Sequence, residues 1–342
     1  MKLLVTGGAG FIGSNFVCYF LKAHSASSIL NLDKLTYAGN LENLAEVQNS
    51  PNYRFVRGDI KDAALVDQLL EERFDAVVHF AAETHVDRSI AGAREFVDTN
   101  VLGTFTLLDA ARRRQVPRFL HVGTDEVYGS MKPGEFAREG SMIEPNSPYA
   151  ASKAGADLVA RSFWQTYQYP VLTTRCSNNY GPYQFPEKLI PLMIANAIEG
   201  KKLPVYGDGL NERDWIFVED HCRALDRVLQ AGRPGEVYNI GYGQPVANLE
   251  IIRKLLGLLN RSEDLIEYVK DRPGHDRRYA LGTEKIQHEL GWTPRVGLDE
   301  GLKQTVAWYR AHSSWMARVR GGDYQAYYEK HYARRGETLA AL

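Results

Sequence analysis

Cysteine is scarce in this chain, with three residues in 342, at Cys18, Cys176 and Cys222. They lie far apart, show no metal-ligand spacing and leave one unpaired under any disulfide scheme, so a reducing compartment is expected rather than a disulfide scaffold. An excess of one charge sign is also missing. With 41 basic against 42 acidic residues the formal charge is -1, and no surplus positive field exists to recruit nucleic acid or an anionic membrane. The local run Arg112-Arg113-Arg114 reads as the solvated end of a helix. No apolar stretch approaches the roughly eighteen residues of a membrane span, and Met1 to Gly7 runs into a strand-like segment with no cleavable signal. A cytoplasmic, soluble protein is expected. Internal repeats and low-complexity linkers are absent as well.

What is present is ordinary globular material, 44% hydrophobic and 24% charged, enough for a core and two domains. Short β-branched runs at Lys2 to Thr6, Ile29 to Asp33, Arg54 to Arg57, Ala76 to Ala81, Phe119 to Gly123 and Val171 to Arg175 are mostly apolar on both faces, as buried parallel strands are. Helical periodicity occupies Phe11 to Leu21, Ala63 to Glu72, Arg94 to Arg113 and Ala151 to Tyr167. This alternation predicts an α/β fold of Rossmann type, a doubly wound parallel sheet over residues 1–175. Residues 176–342 change rhythm, with strands expected at Asp214 to Val218 and Glu236 to Ile240 and helices at Leu249 to Leu259 and Leu302 to Ala311. They read as a smaller, partly interleaved α/β substrate domain, with segments near 207–240 returning to the first.

After the first strand comes Gly7-Gly8-Ala9-Gly10-Phe11-Ile12-Gly13, which holds Gly8-x-Gly10-x-x-Gly13 and the overlapping Gly7-x-x-Gly10-x-x-Gly13. Glycines there permit a tight turn, a close backbone approach to a pyrophosphate and packing of the following helix. Asp33 follows twenty residues after Gly13, at a strand end, where a carboxylate accepts from ribose hydroxyls. An acid at that position disfavours a 2′-phosphate and so favours NAD over NADP, although Lys34 beside it works against the inference. Asp59 is open to two roles, acceptor for an adenine amino group or cap of the helix beginning near Asp62.

Tyr149-Ala150-Ala151-Ser152-Lys153 puts a phenol and an ammonium on one helical face. A neighbouring ammonium favours phenolate, so Tyr149 could take a proton from a sugar hydroxyl. The fifth strand ends in Gly123-Thr124-Asp125-Glu126-Val127-Tyr128-Gly129, at the edge where open parallel sheets bind ligands. Taken alone, this segment reads more simply as a helix N-cap at Asp125 with Glu126 in solvent. Beside an oxidising cofactor it suits an elimination, with one carboxylate removing an acidified C–H and a protonated carboxyl assisting a departing hydroxyl.

These motifs together resemble the extended short-chain dehydrogenase/reductases and, within them, the dTDP-glucose 4,6-dehydratases. The likeness runs through Asp33 to Asn40, Gly58-Asp59-Ile60, Ala81 to Ser89, Thr124 to Gly129, Tyr149 to Lys153, Asn178 to Pro182 and Asp271 to His275; related 4-epimerases lack the Asp-Glu pair. It implies a bound NAD regenerated in each turnover, with oxidation at carbon 4, elimination across carbons 5 and 6, and hydride return to carbon 6. In that scheme Tyr149 deprotonates the 4-hydroxyl, Lys153 holds the ribose, Thr124 bonds the 4-oxygen, Glu126 removes the carbon-5 proton and Asp125 protonates the leaving 6-hydroxyl. The resemblance sets the cofactor against Gly7, Gly10, Phe11, Ile12, Gly13, Asp33, Lys34, Leu35, Thr36, Asp59, Ile60, Ala81, Ala82, Glu83, Thr99, Tyr149, Lys153 and Asn179. It sets the sugar nucleotide against Thr84, Thr124, Asn178, Lys188, Leu189, Pro204, Val205, Tyr206, Arg213, Asn248, Asp271, Arg272 and His275. Arg213 and Arg272 can neutralise a pyrophosphate and Tyr206 can stack near a pyrimidine.

No metal site is expected, because His275 has no partner ligands at suitable spacing. His79 and His121 read as core histidines, and His85 as support for the loop around Thr84. Two positions depart from the family pattern, Thr84 and Gly123, where serine is usual. The resemblance also implies a homodimer through Arg94 to Arg113 and Ala151 to Tyr167, and the tail after Trp315, with Tyr324, Tyr327 and Tyr328, reads as a docking helix. Alternatives are a 4-epimerase, a dehydratase for another nucleotide sugar, or a non-catalytic NAD-binding protein.

Overall fold

The computed structural model describes residues 1–321, so Tyr324, Tyr327 and Tyr328 lie outside the described residues. The apolar runs become strands β1 (Lys2–Thr6), β2 (Ser28–Asp33), β3 (Tyr53–Arg57), β4 (Ala76–His79), β5 (Phe119–Thr124) and β6 (Val171–Cys176). A seventh strand, Val237–Ile240, joins them beyond β6 in one sheet of order Val237–Ile240, β6, β5, β4, β1, β2, β3. Every pairing in it is parallel.

Alternation along the strands divides the core in two. Leu3, Val5, Ile29, Val78 and Leu120 face the helix Phe11–Ala23 (α1) and the helix Val218–Ala231, meeting Phe16, Phe20, Cys222 and Leu225. Leu4, Leu30, Leu32, Val77 and Phe119 face the other way, onto helices Ala63–Leu70 (α2), Thr104–Arg113 and Pro148–Tyr167. Both faces are therefore covered, as an all-parallel sheet requires. A second core gathers Ile190, Trp215, Ile252, Leu255 and Leu302, around a three-stranded sheet of Pro245–Ala247, Glu212–Phe217 and Asn178–Tyr180 and a pair of Leu203–Tyr206 with Ile266–Val269. Val218, expected as the end of a strand, opens a helix instead.

The expected helix Arg94 to Arg113 is not continuous. It comprises Ala93–Phe96, a π-helical stretch Val97–Gly103 and Thr104–Arg113. The side chain of Asn100 explains the break: it bonds the backbone of Glu83 at both N–H and C=O, 2.8 and 3.0 Å, and Ser152 Oγ at 2.8 Å. Tying a helix residue to a neighbouring loop favours an inserted residue, and such bulges gather at functional sites. Strand β4 also stops earlier than expected, at His79, so that Ala81 and Ala82 leave the sheet and line a cavity. Arg112, Arg113 and Arg114 pair with Asp67, Glu71 and Asp109 at the solvated end of their helix.

Candidate active site

Two cavities open at the carboxyl ends of the strands and share Glu126, Asn178, Gln184, Glu187 and Lys188 in their walls. The first is built on the glycine loop. Gly7 adopts φ +73°, and a Cβ there would sit 2.5 Å from the Ala81 nitrogen; one at Gly13 would sit 2.2 Å from the Gly7 carbonyl oxygen. Gly8 is crowded by Asn31, but a Cβ at Gly10 would meet nothing in the protein nearer than 3.4 Å. Gly10 stands at the N-cap of α1 with φ −76° and no side-chain cap, and it lines the cavity. Protein packing thus explains three of the glycines, whereas Gly10 keeps free a cradle at a helix N-terminus, where amide donors suit an anion.

Asp33 lies at the end of β2 on the same wall, its carboxylate accepting from the amides of Ala9 (2.9 Å) and Leu35 (2.8 Å). Leu35 itself packs against the core beneath α1 rather than lining the cavity. Asp59 does not cap α2; that cap is Asp62, which accepts from Ala64 and Leu65 at 3.1 Å each. Asp59 instead lines the cavity with Lys34 at 3.0 Å. Burial pushes its carboxyl up, but the Lys61 amide and the Lys34 ammonium outweigh burial and leave it below the usual range. The other positions expected against the cofactor, including Thr36, Ile60, Glu83, Thr99 and Asn179, all stand on this wall.

At the inner end of the cavity β5 delivers Thr124, Asp125 and Glu126. Thr124, not Asp125, is the cap: its Oγ1 accepts from the Glu126 amide at 3.3 Å. Nor does Glu126 point into solvent. Both carboxylates line the cavity, and Asp125 Oδ2 and Glu126 Oε2 are buried with no partner. Burial, then Glu126, then Asp214 push Asp125 well above the usual carboxylate range. Glu126 is also raised by burial, but Arg272, Lys188 and Arg213 pull against that rise. Arg213 pulls on both carboxyls, but Asp125 has Asp214 beside it where Glu126 has Arg272 and Lys188, so burial raises Asp125 the more strongly.

Tyr149 stands in the first turn of the helix Pro148–Tyr167, whose cap is Ser147. The neighbouring Thr84 and Thr124 hydroxyls favour its ionised form, yet burial, with Glu126 and Cys176, holds the phenol well above its ordinary value. The expected depression by Lys153 is not seen in the free site. Lys153 is buried, donates to the Val122 carbonyl at 2.9 Å, and is itself lowered by burial. A phenol is the resting form here.

The second cavity collects Leu189, Pro204, Val205, Tyr206, Arg213, Asn248, Arg272 and His275 from separate segments. Arg213 is held by the carbonyls of Glu212 (2.7 Å) and Asp276 (2.9 Å) and lies over the Tyr279 ring at 4.3 Å. Arg272 reaches Asp87 at 3.5 Å, while its Nε is buried and unbonded. Asp271 is absent from the wall and instead bonds His275 Nδ1 at 2.6 Å. Burial, with Arg272 and Arg213, lowers His275 to about 4, so it is neutral. Asp87, Gln184, Glu187 and Tyr279 were not among the expected site residues; Asp87 lies within the Ala81 to Ser89 segment that carries the likeness, whereas nothing in the local sequence distinguishes the other three, and only folding brings them here. Among the described residues no His, Cys, Asp and Glu group could hold a metal ion.

The family model described as GDP-mannose 4,6 dehydratase matches residues 4–305. A dTDP-glucose 4,6-dehydratase of Actinoplanes sp. is 54% identical over 92% of this chain and 99% of its own. The structure of a dTDP-glucose 4,6-dehydratase from Streptomyces venezuelae with NAD bound superposes with a TM-score of 0.90 at 53% identity, covering 93% of this chain and 100% of that one. The chain belongs to the dTDP-glucose 4,6-dehydratase family. A Haloferax volcanii relative, 55% identical over 90% of this chain and 98% of its own, is named a low-salt glycan biosynthesis protein.

Against the pattern of the dTDP-glucose 4,6-dehydratases, this chain's two departures have structural reasons. Thr84 retains a hydroxyl beside Tyr149. At Gly123 a Cβ would lie 2.6 Å from the Thr174 carbonyl oxygen and 3.0 Å from Asp157 Oδ1, so β5 and β6 leave no room for a side chain. His79 is satisfied by Thr6 (2.7 Å) and Thr104 (2.9 Å). His121 bonds Asp157 at 3.1 Å and leaves Nδ1 buried without a partner. His85, at φ +78°, is buried in the turn that follows Thr84.

Proposed function

We propose that this protein binds NAD in the first cavity and dTDP-glucose in the second, and converts the sugar nucleotide to dTDP-4-keto-6-deoxyglucose and water. The buried Asp125–Glu126 pair beside Tyr149 carries this reading, because a 4-epimerase needs the phenol but has no use for two adjacent buried carboxyls with different charged neighbours. The bound dinucleotide supplies the acceptor and later the donor of the hydride. Gly10 and the N-terminus of α1 receive its pyrophosphate, and Asp33 a ribose. Arg213 and Arg272 neutralise the diphosphate of the sugar nucleotide, with Tyr206 beside the base.

Tyr149 takes the proton of the 4-hydroxyl, and a cationic nicotinamide with the Lys153 ammonium offsets the burial that holds the free phenol neutral. The 4-ketone acidifies the carbon-5 hydrogen, which Glu126 removes. Asp125, kept protonated, gives its proton to the departing 6-hydroxyl, and one water leaves. Glu126 then returns a proton to carbon 5, and the proton that Tyr149 took from the 4-hydroxyl replaces the one Asp125 gave to the departing water, so Glu126, Asp125 and Tyr149 all end as they began.

The same reading includes a homodimer. Val97, Leu102 and Phe105 on one helical segment and Leu158 and Tyr167 on the adjacent helix are 47–54% exposed, an apolar face suited to a second copy. It also includes a cytoplasmic setting, supported by three free cysteines and by the lack, among the described residues, of a helix long and apolar enough to cross a membrane.

Incubation with dTDP-, UDP- and CDP-glucose separately, following product mass and NADH absorbance, tests the activity. Loss of water from dTDP-glucose without net NADH is the expected result; no mass change with any of the three overturns it.

A further inference from the structure

The helix Ser313–Val319 seats Trp315 and Met316 in the second core. Tyr183 and Trp308 meet the Trp315 ring edge-on at 6.0 and 5.3 Å, and the residue is buried. Its indole N–H finds a partner outside that core. It donates to Asn43 Oδ1 at 3.0 Å, across 272 residues of chain, and the Asn43 amide donates onward to the Ala9 carbonyl at 3.1 Å. Nearer the surface, the Arg318 guanidinium pairs with both oxygens of Glu42, at 2.8 and 2.6 Å. The last described helix is thus tied to the turn Leu41–Leu44, and through it to the glycine loop.

Chemistry settles the direction of each bond. An indole N–H only donates and a backbone carbonyl only accepts, so a single orientation of the Asn43 amide serves both. The Ala9 carbonyl also accepts from the Asn40 amide at 3.0 Å. It belongs to the same planar peptide unit as the Gly10 N–H, which donates to the Gly7 carbonyl at 3.2 Å. The peptide that leads into α1 is therefore held at both ends, and one of its ties runs back to Trp315. Gly10, which follows it, is the residue with the open cradle on the cavity wall.

We propose that Trp315 is a positioning residue for the cofactor cavity: through Asn43 it fixes the Ala9–Gly10 peptide, and so the N-terminus of α1 that receives the dinucleotide pyrophosphate. This rests on the reading above, in which the first cavity holds NAD. Without the indole donor Asn43 Oδ1 is buried and unpaired. The amide then turns to find another partner and releases the Ala9 carbonyl. Ordering that peptide falls to the cofactor, which binds less tightly for it. Linkage makes the coupling mutual: what Trp315 adds to NAD affinity, NAD returns to the seating of the helix Ser313–Val319.

Trp315→Phe and Trp315→His separate the donor from the bulk of the side chain. Phenylalanine keeps more of the volume but has no N–H; histidine is smaller, and a ring nitrogen can take the place of the indole nitrogen and donate. Release of NAD from the loaded protein, timed after dilution, quickens about tenfold in Trp315→Phe and no more than about twofold in Trp315→His, although the histidine variant melts lower. Release that follows melting temperature instead, fastest from Trp315→His, overturns the proposal. Val306→Ala, which opens a cavity in the same core, melts lower yet releases NAD at the wild-type rate; release as fast as from Trp315→Phe overturns the proposal too. If neither Trp315 variant folds, hydrogen exchange in the wild type decides: NAD slows the amides of Ser313–Val319 more than those of Ile266–Val269, and equal slowing refutes the tie. If wild-type protein holds no NAD, the reading above fails, and exchange at the Ala9 and Gly10 amides still tests the tie: faster exchange in Trp315→Phe than in Trp315→His supports it, and equal rates refute it.

Discussion

Replacing Asp125 by asparagine separates the two halves of the reaction and, at the same time, tests the electrostatics assigned to the site. The carboxyl is 3% exposed, has one oxygen 3.3 Å from the Thr124 hydroxyl and the other unbonded, and is pushed well above the ordinary range by burial, Glu126 and Asp214. Asparagine has nearly the same shape and is neutral, as the buried acid is. The fold therefore loses little, and the pH dependence has a definite sign. A carboxyl whose folded pKa is raised binds its proton more tightly in the native state, so its contribution to stability falls as pH rises above the unfolded value of about 4. Asp125→Asn removes that fall, and its melting temperature relative to wild type should climb as pH rises above about 4.

Activity changes the other way. Losing a general acid typically costs about 10²- to 10⁴-fold, or roughly 3–5 kcal/mol of transition-state stabilisation. In the proposed mechanism oxidation at carbon 4 uses Tyr149 and not Asp125, so mixing the NAD-loaded variant with dTDP-glucose should give a rapid rise in NADH absorbance and only slow loss of water by product mass. Wild-type dehydration by the folded variant would refute the assignment of Asp125 as the acid. Slow turnover with no NADH rise would refute the separation of the two steps.

The glycine loop offers a paired test. Gly10→Ala should fold and melt like wild type but purify without NAD, whereas Gly13→Ala, whose Cβ meets the Gly7 carbonyl oxygen at 2.2 Å, should lose about 2–3 kcal/mol in denaturant titration; equal stability of the two would contradict the packing argument. Burial lowers His221 to about 3 and His85 to about 4. Because the unfolded chain binds protons to both below about pH 6.5, native stability should fall as pH drops through that value, by about 2 kcal/mol for each at pH 5, and His221→Gln should flatten the slope. Leu102→Glu combined with Phe105→Glu should halve the scattering mass of the protein at micromolar concentration; a monomeric wild type would dispose of the proposed dimer face.

Much of this molecule could be read along the chain because the signals are contiguous. Strand alternation, the glycines before α1, the carboxylate at Asp33 and the four-residue spacing of Tyr149 and Lys153 depend only on the period of a strand or helix and on the turn between them. The break at Asn100 could not be read, since it arises from bonds to Glu83 and Ser152, 17 and 52 residues away. Leu35 and Asp271 show the limit of transferring roles by position, for each sits beside a cavity residue without lining the cavity.

By itself, then, the order of residues determined the doubly wound sheet, the turn that can cradle a phosphate and the presence of a phenol and two adjacent carboxyls at strand ends. Only the tertiary structure sets the two carboxyls apart. Asp125 and Glu126 are neighbours with similar intrinsic acidity; Arg213 acts on both, and their difference comes from Asp214 beside Asp125 and from Arg272 and Lys188 beside Glu126. The same holds for the second cavity, where Asp87 meets Tyr206 and Arg272 across 119 and 185 residues of chain. Charge–charge energies depend on distance and on exclusion of water, and neither quantity exists until the chain has folded.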